Sequence, residues 1–322
     1  MRLTLSIPTR GRPELLKYMM EQTLPNVALP DTTLLVCVDE DDLPTLDSIK
    51  NLPKDSRIQV SCRPREDTRG PKSDRALTDA PADLYLIGAD YTPIITPAFD
   101  AAFLKAMQIW PDGIGVVYSQ MCDELVPIFQ APTAKFVEKV GYIHNPDYPF
   151  WFIDHELADL AWMVGRINFC DVTGDPSKRP KTTHRHHDID FWTTYFDFMA
   201  IERREIARRI IRDPEFQAPE WLKYQMCNWF PLLERRSEVR NAHVRRGSMV
   251  SVKDVVALLR HMLEIDPKDF QSIVGEQIKR LDKASARDDG TPDAGYLRAK
   301  AKAEQKASDL YDKINTALRA AA

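Results

Sequence analysis

The first 120 residues alternate short apolar runs with stretches in which apolar residues recur at helical spacing. The runs that predict strands cover residues 3–7, 33–38, 58–62, 84–87 and 114–118. Pro13 and Pro97 each stand where a helix can begin, because proline is tolerated in the first helical turn. Strands that alternate with helices indicate βαβ units, so we predict an α/β fold with a mostly parallel, Rossmann-like sheet.

The second half of the chain has a different pattern. Residues 156–164 have helical spacing and end at Gly165, which can cap a helix. Helices are also predicted over 203–246, 252–263 and 296–320, with a linker over 284–295. We therefore predict a catalytic domain over 1–200, a mainly helical basic region over 201–283, and a linker with a terminal helix over 284–322.

Composition excludes several classes of protein. Apolar residues make up 43% and charged residues 29% of the chain, which is typical of a globular protein and excludes a disordered or fibrous one. No apolar run approaches the roughly 20 residues that span a bilayer. The chain opens directly into a predicted strand without the pattern of a signal peptide, so we expect a cytoplasmic protein. Its five dispersed cysteines predict reduced thiols, with neither a disulfide framework nor a zinc site.

Polar side chains follow the predicted strands at their carboxyl ends, where open α/β sheets bind ligands. The first strand leads into Pro8, Thr9 and Arg10, and the second ends at Asp39. An aspartate there can accept a hydrogen bond from a base or ribose, and a basic residue can bind phosphate. Each motif alone is equally typical of an ordinary loop or cap.

Two further motifs follow the third and fourth strands. Residues 69–75 form a predicted basic loop, in which Arg69 and Lys72 could contact phosphates. Asp90 follows the strand at 84–87 and could hold a divalent cation that bridges a diphosphate. The alternatives are a plain turn for the basic loop and a capping role for Asp90.

Acidic residues and histidines in the next segment could carry chemistry. Asp154 and Glu156 follow an aromatic run, where desolvation can raise a carboxyl pKa and make the group a general base. Both could equally be acids that complement a helix dipole. His184 and His186 would share one face of an extended strand, and one of them could complete a metal site with Asp90.

The order of these motifs resembles that of a nucleotide-sugar glycosyltransferase of the glycosyltransferase-A fold, close to the family 2 type. The resemblance covers roughly residues 3–190 and lies in the motifs at 6–13, 38–39, 88–90, 136–142 and 154–165. The sequence departs from the family in three places. At Asp39, the usual Asp-Gly or Asp-Ser continuation is replaced by Glu40, Asp41 and Asp42. The first aspartate of the metal-binding D-x-D motif is missing, and Ile153 replaces the glutamate that precedes the catalytic aspartate.

The resemblance implies an inverting transferase that uses a nucleotide-sugar donor and Mn²⁺ or Mg²⁺. Pro8, Thr9, Arg10 and Asp39 would then bind the nucleotide, with Arg69 and Lys72 near the phosphates. Asp90 and either His184 or His186 would hold the metal. Asp154 would be the general base, with Glu156 as the neighbouring acid.

The distribution of charge suggests the acceptor. Residues 201–322 carry 24 basic and 19 acidic residues, whereas the first 200 carry 20 and 29. Ten arginines between 203 and 246 could follow a phosphate backbone, and Trp221, Tyr224 and Trp229 could stack on a base. A hydroxylated base in DNA is therefore one predicted acceptor, while a salt-bridged helical surface is the simpler interpretation of these arginines.

Two other functions compete with the transferase. A non-catalytic nucleotide- or nucleic-acid-binding protein on the same fold is favoured by the missing aspartate and opposed by Asp90, Asp154 and the histidines. A nucleotidyltransferase with a similar α/β core fits less well, because no G-x-G-T-R loop follows the first strand.

Overall fold

The computed structural model describes residues 1–121, 127–178, 189–217 and 294–321. Several predictions lie outside these residues. They are the metal ligands His184 and His186, the aromatic residues of the basic region, the helix at 252–263 and most of the linker at 284–295.

A seven-stranded sheet forms the centre of the described part. Its strands are β1 Leu3–Pro8, β2 Thr33–Asp39, β3 Ile58–Arg63, β4 Leu84–Ile87, β5 Val116–Met121, β6 Pro127–Pro132 and β7 Ile167–Phe169. They are arranged in the order β3-β2-β1-β4-β6-β5-β7. Strand β6 is antiparallel to both β4 and β5, and the other pairs are parallel. The prediction of a mostly parallel α/β sheet is confirmed.

Helices connect and cover these strands. They are α1 Pro13–Thr23, α2 Leu43–Ile49, α3 Arg69–Asp79, α4 Phe99–Met107, α5 Ala134–Val140, α6 Ile153–Met163, α7 Ile189–Phe198, α8 Ala200–Arg212 and α9 Ala294–Ala321, with a short 3-10 helix at Leu24–Asn26. Pro13 is the first residue of α1, as predicted. The predicted terminal helix is α9, which begins two residues earlier than expected.

Two predictions about the connections are wrong. Residues 69–75 are not a loop, because they form the first turns of helix α3. Helix α4 begins at Phe99 and not at Pro97. The hydroxyl of Thr96 accepts a hydrogen bond from the Thr173 amide at 2.8 Å, and Ala98 takes a left-handed conformation before the helix begins.

The sheet has a buried layer on each face. In β2, Leu34 and Val36 belong to one apolar cluster while Leu35 and Cys37 belong to the other. A strand covered on both faces has a continuous apolar sequence, which is why β2 was recognisable from the sequence. Helices α1 and α4 contribute to the first cluster, whereas α5, α6 and α8 contribute to the second.

A third apolar cluster joins helix α9 to α7. Trp192 packs with small residues of α9, and its indole nitrogen donates to the hydroxyl of Tyr296 at 3.0 Å. Lys306 of α9 forms ion pairs with Asp147 at 2.5 Å and Glu202 at 2.8 Å. The terminal helix therefore packs on α7, on the first turn of α8 and on the loop that contains Asp147.

None of the helices in the described ranges is both long and apolar enough to cross a membrane.

The strand order places a crevice between β1 and β4. From β1 the chain proceeds to β2 and β3 on one side and returns through α3 to β4 on the other side of β1. Ligands bind at such a switch point, beyond the carboxyl ends of the strands. Thr9 follows β1, Asp90 lies three residues after β4, and the amino terminus of α3 leads the crossover between them.

Candidate active site

Asp90 is buried at the floor of this crevice. Only 1% of its surface is exposed. The Thr9 hydroxyl donates to its Oδ2 at 2.9 Å, and Arg12 Nη1 donates to its Oδ1 at 3.0 Å. Burial raises the pKa of Asp90, and Arg12 and Thr9 oppose that rise by stabilising the carboxylate. Both carboxylate oxygens are therefore bonded to protein groups that follow β1.

Asp39 is the last residue of β2, and its carboxylate contacts three basic side chains. Its carboxylate contacts Lys72 Nζ at 2.6 Å, Arg10 Nη1 at 2.9 Å and Arg75 Nη2 at 3.2 Å. It is 1% exposed. The predicted nucleotide residues Arg10, Asp39 and Lys72 are thus brought together. Asp39 contacts protein cations in this arrangement, so it anchors the basic side chains of the crevice.

Arg10 is further held by the loop after β2. Its guanidinium forms two hydrogen bonds with Asp41, at 2.6 and 2.8 Å. Asp41 is the main reason that the pKa of Arg10 rises above its ordinary value. Gly11 follows with φ of 62°, and its amide donates to Asp42 Oδ2 at 2.7 Å. This turn allows Arg10 to point toward β2 and Arg12 toward β4.

The amino terminus of α3 brings Arg69 and Lys72 to the same crevice. Arg69 Nη2 donates to the carbonyl of Gly88 at 2.9 Å, which fixes its guanidinium beside the Asp90 loop. Gly70 lies so close to the carbonyls of residues 144 and 145 that an added Cβ would approach them at 3.0 Å. Glycine therefore permits the close packing that positions this end of α3. Pro8, another predicted nucleotide residue, ends β1 opposite Cys37.

Asp154 lies in the first turn of α6, with its side chain 47% exposed. Gln130 Nε2 donates to the Asp154 carbonyl at 2.9 Å, and Gln130 pairs with Ile87 across β6 and β4. Asp154 consequently lies beside the end of β4 that leads to Asp90. Desolvation opposes ionisation of Asp154, but the charge of His155 and hydrogen bonds from its ring and amide lower the pKa of Asp154 below its ordinary value.

His144 connects the two sides of the crevice. Burial lowers its pKa to about 3, with the charge of Arg69 acting in the same direction. The ring is therefore neutral at physiological pH. Its Nδ1 lies 3.2 Å from the Ser73 hydroxyl of α3, and it interacts electrostatically with Asp154.

Glu156 points into the protein, away from solvent. It is 3% exposed and accepts hydrogen bonds from Asn145 Nδ2 at 2.7 Å and the Tyr142 hydroxyl at 2.9 Å. Burial raises its pKa to about 7, while Arg203 and these hydrogen bonds act in the opposite direction. Asp154 and Glu156 are thus close in sequence but differ in environment, and only Asp154 has substantial solvent exposure.

The described residues do not fit the divalent cation that the fold implies. Among residues 1–121, 127–178, 189–217 and 294–321, no group of three or more His, Cys, Asp or Glu side chains converges on a possible metal position. Mg²⁺ and Mn²⁺ prefer several oxygen ligands, whereas Asp90 supplies one carboxylate that already bonds Arg12 and Thr9. His184 and His186, the other predicted ligands, lie outside the described residues.

Several residues of the site were not predicted from the sequence. Arg12 belongs to the loop that was recognised, and its position two residues after Arg10 was the available signal. Arg75 lies one turn after Lys72 on α3, which becomes apparent only when residues 69–75 are treated as a helix. Gln130 and His144 approach the site from distant segments, and no local pattern marks them.

Three arginines at the beginning of the basic region contact other groups of the protein. Arg203 is 1% exposed, pairs with Asp159 at 3.1 Å and stacks over Phe196 at 3.7 Å. Arg208 pairs with Glu205, and Arg209 donates to the Lys139 carbonyl at 3.1 Å. Of these three arginines only Arg203 is buried, so the predicted phosphate contacts of Arg208 and Arg209 stay a prediction.

We expect Asp39→Asn to destabilise the protein. The amide would leave Lys72, whose side chain is 9% exposed, without its countercharge. Because breaking one partner of a buried ion pair leaves an uncompensated charge, the free energy of unfolding should fall by about 3 kcal/mol. Urea denaturation measures this change. Asp47→Asn, in an exposed pair with Lys50, is the matched control and should change stability by less than about 1 kcal/mol. Equal effects of the two substitutions would contradict this account of Asp39.

Glu156 should make stability fall as pH rises. The folded-state pKa of about 7 lies above the ordinary value of 4.5, so the unfolded chain loses this proton first. The stability contribution of Glu156 is therefore fully present below about pH 4.5 and declines up to about pH 7.

Glu156→Gln removes that decline. The difference in unfolding free energy between the variant and the wild type should grow in favour of the variant by about 3 kcal/mol between pH 4.5 and 7.5. Urea denaturation at several pH values measures it. Glu205→Gln serves as the control because Glu205 is mostly exposed. A difference for Glu156→Gln that is constant with pH would contradict the assignment.

Comparisons with known proteins are informative at the level of structure. No model of a protein family matches the sequence, and no curated protein matches it. The structure is similar to S. aureus TarS residues 1–349, with 13% identity and a TM-score of 0.50 over 96% of this chain and 92% of that one. A longer TarS structure matches with 15% identity and a TM-score of 0.50, over 95% of this chain and 55% of that chain.

A third similar structure is the mannosyltransferase PcManGT from Pyrobaculum calidifontis, in complex with GDP-Man and Mn²⁺. It has 14% identity and a TM-score of 0.49, with 88% of this chain and 86% of that chain covered. TarS has the glycosyltransferase-A fold. The likeness to TarS, together with the strand order described above, confirms that this chain has the glycosyltransferase-A fold.

Proposed function

We propose that the protein is a glycosyltransferase that moves a sugar from a nucleotide-sugar donor to an acceptor hydroxyl. One observation carries the proposal. The switch point of a glycosyltransferase-A fold holds three basic side chains, Arg12, Arg69 and Lys72. The partly exposed Asp154 lies in the first turn of α6, where its carbonyl bonds Gln130 next to β4, and His144 interacts electrostatically with both Arg69 and Asp154. Basic groups suit the diphosphate of a donor, and a neighbouring carboxylate suits the activation of an acceptor.

The donor would lie across the carboxyl ends of β1, β2 and β4. Its nucleoside would face the loops that carry Thr9, Arg10 and Asp39, and its diphosphate would face the amino terminus of α3. Asp39 would act there by holding Arg10 and Lys72 in place, since it contacts both. The structural neighbours support a glycosyltransferase.

Asp154 would serve as the general base. Its carboxylate would accept the proton of the acceptor hydroxyl while that oxygen attacks the anomeric carbon and the bond from this carbon to the diphosphate oxygen breaks. Attack from the face opposite the leaving group inverts the anomeric centre. Asp154 is ionised at neutral pH and can accept a proton, but its pKa is lowered, and not raised as the sequence predicts, so it is a weaker base than a desolvated carboxylate. Glu156 is buried under Tyr142 and Asn145 and would hold α6 and the preceding loop together.

Asp154→Asn tests this role. We expect the turnover of a nucleotide sugar to fall by at least about 100-fold, because an amide cannot accept the proton. The affinity for the nucleoside diphosphate should stay within about twofold, since Asp154 takes no part in donor binding. Release of nucleoside diphosphate from a panel of nucleotide sugars measures turnover, and calorimetry measures affinity.

Two results would contradict the proposal. If Asp154→Asn retains near-normal turnover, Asp154 is not the base. If the wild type binds nucleoside diphosphates but turns over no nucleotide sugar, the alternative predicted from the sequence, a non-catalytic nucleotide-binding protein, is correct. Asp47→Asn is the control for both measurements, because Asp47 is exposed on α2.

DNA remains the predicted carrier of the acceptor, and this part of the proposal depends mainly on arginines outside the described residues. Arg203, Arg208 and Arg209 are engaged in contacts within the protein. The remaining candidates are Arg204 and Arg212 of α8, and Arg235, Arg236, Arg240, Arg245 and Arg246, which lie outside the described residues.

Fluorescence anisotropy with labelled duplex DNA tests this prediction. Affinity should fall steeply as salt rises, because phosphate contacts release counterions. Reversal of Arg235 and Arg236 to Glu should weaken binding by at least about tenfold, whereas Lys50→Glu with Lys54→Glu should leave it within about twofold. Absence of binding at low salt, or equal effects of the two double variants, would exclude DNA and favour a small glycan or a protein as acceptor.

A further inference from the structure

The position that the fold assigns to a metal ion is bounded by two arginines in this chain. Arg12 Nη1 bonds Asp90 at 3.0 Å, and Arg69 Nη2 bonds the Gly88 carbonyl two residues before Asp90 at 2.9 Å. Arg69 also interacts electrostatically with Asp90. The Arg12 guanidinium lies 5.8 Å from the centre of the Tyr91 ring, so the residue after Asp90 supports it as well. Both arginines are therefore fixed at the end of β4.

We propose that Arg12 and Arg69 replace the divalent cation, binding the diphosphate of the donor and neutralising its charge as it leaves. This inference rests on the proposed glycosyl transfer. In it, Arg12 and Arg69 are catalytic residues because they contact the leaving group. Asp90 is a positioning residue, because it holds Arg12 and touches no part of the donor.

The charge at this position supports the replacement. A divalent cation on a single carboxylate carries a net charge of +1. Asp90 with Arg12 and Arg69 carries the same net charge of +1, since each guanidinium contributes one positive charge. The electrostatic stabilisation of a leaving diphosphate therefore does not require a metal here.

The contact with Asp90 leaves Arg12 with further N–H donors that can bind the diphosphate. Contact with Asp90 uses one of the five N–H donors of Arg12, whose side chain is 34% exposed. A guanidinium presents parallel donors that match two phosphate oxygens. Arg69 is the first residue of α3, an eleven-residue helix whose positive end adds to its charge. Lys72, one turn further along α3, is buried between the Thr9 carbonyl and Asp39 and adds a positive charge beneath this site.

The reaction balances without a cation. The bond between the anomeric carbon and the diphosphate oxygen breaks, and its electron pair stays on that oxygen. Arg12 and Arg69 donate hydrogen bonds to the diphosphate throughout, and these bonds strengthen as negative charge develops. The proton of the acceptor hydroxyl passes to Asp154. No proton leaves either guanidinium, because arginine stays protonated in proteins.

Calorimetric titration with UDP, GDP, dTDP, CDP and ADP, each in EDTA and in Mn²⁺, tests this inference on the full chain. We expect one or more of these nucleotides to bind in EDTA, with an affinity that Mn²⁺ changes by less than about threefold. Arg12→Gln should weaken that binding by at least about tenfold in EDTA, because it removes a charged hydrogen-bond donor. Arg208→Gln, in an ion pair on α8, is the matched control and should leave the affinity unchanged.

Asp90→Asn distinguishes two possible roles of Asp90, holding Arg12 or ligating a metal ion, by the direction in which it changes the affinity for the diphosphate. If Asp90 holds Arg12, the side-chain oxygen of asparagine still accepts the hydrogen bond from Arg12, and a charge that repels the diphosphate is removed, so diphosphate affinity in EDTA should stay unchanged or rise. If Asp90 is a metal ligand, the same substitution should abolish the binding that Mn²⁺ promotes. Thermal unfolding of the variant verifies that it is folded, and Arg12→Gln decides the question on its own if it is not.

Three outcomes would overturn the inference. Binding that requires Mn²⁺ shows that a metal holds the diphosphate, and it leaves the proposed glycosyl transfer intact. Metal-free binding that Arg12→Gln does not weaken excludes Arg12 from the diphosphate site. Absence of binding for every nucleotide in both conditions contradicts the proposed function itself, and this inference falls with it.

Discussion

The crevice depends on two carboxylates that are buried at the ends of parallel strands and compensated by basic side chains. Asp39 and Asp90 are each 1% exposed. An isolated carboxylate at such depth would be severely destabilised, so each needs charged or hydrogen-bonding partners at contact distance. Asp39 forms ion pairs with Arg10, Lys72 and Arg75. Asp90 forms an ion pair with Arg12 and accepts a hydrogen bond from Thr9. Because these buried carboxylates need positive partners, basic side chains are held at the carboxyl ends of β1, β2 and β4.

The topology explains why these partners meet. Strands β1, β2 and β4 are adjacent and parallel, so their carboxyl ends open on the same side. The chain after β1 supplies two arginines that diverge at Gly11, one toward β2 and one toward β4. Helix α3 lies in the connection between β3 and β4, and its amino terminus lies at the same edge of the sheet. A ligand that reaches this crevice encounters cations that are already held in place, which lowers the cost of ordering them on binding.

Much of the fold could be predicted because the strands of this sheet are covered on both faces. Strand β4 is a continuous apolar run with the predicted bounds, and β2 extends one residue beyond its prediction. Strand β6 was not predicted, because its six residues begin and end with proline and because it is held in the sheet by antiparallel pairing with β5 and β4. Helix α3 was missed because glycine and proline follow Arg69, a combination that favours a turn in local sequence.

The site was predictable where strand ends carried the signal and unpredictable where tertiary contacts did. Asp39 and Asp90 follow apolar strands, so their location could be inferred. Their partners could not, because the Asp90 contact with Arg12 spans 78 positions and the Asp154 contact with Gln130 spans 24. The environment of Glu156 could not be predicted from the sequence either, because its hydrogen-bond partners come from the preceding loop.

A crystal structure with a bound nucleoside diphosphate, grown in the presence of Mn²⁺, tests the central claim most directly. We expect the diphosphate oxygens to lie within hydrogen-bond distance of Arg12 and Arg69, with Asp90 still bonded to Arg12. An Mn²⁺ ion bound between the diphosphate and Asp90, with Arg12 displaced, would contradict the account.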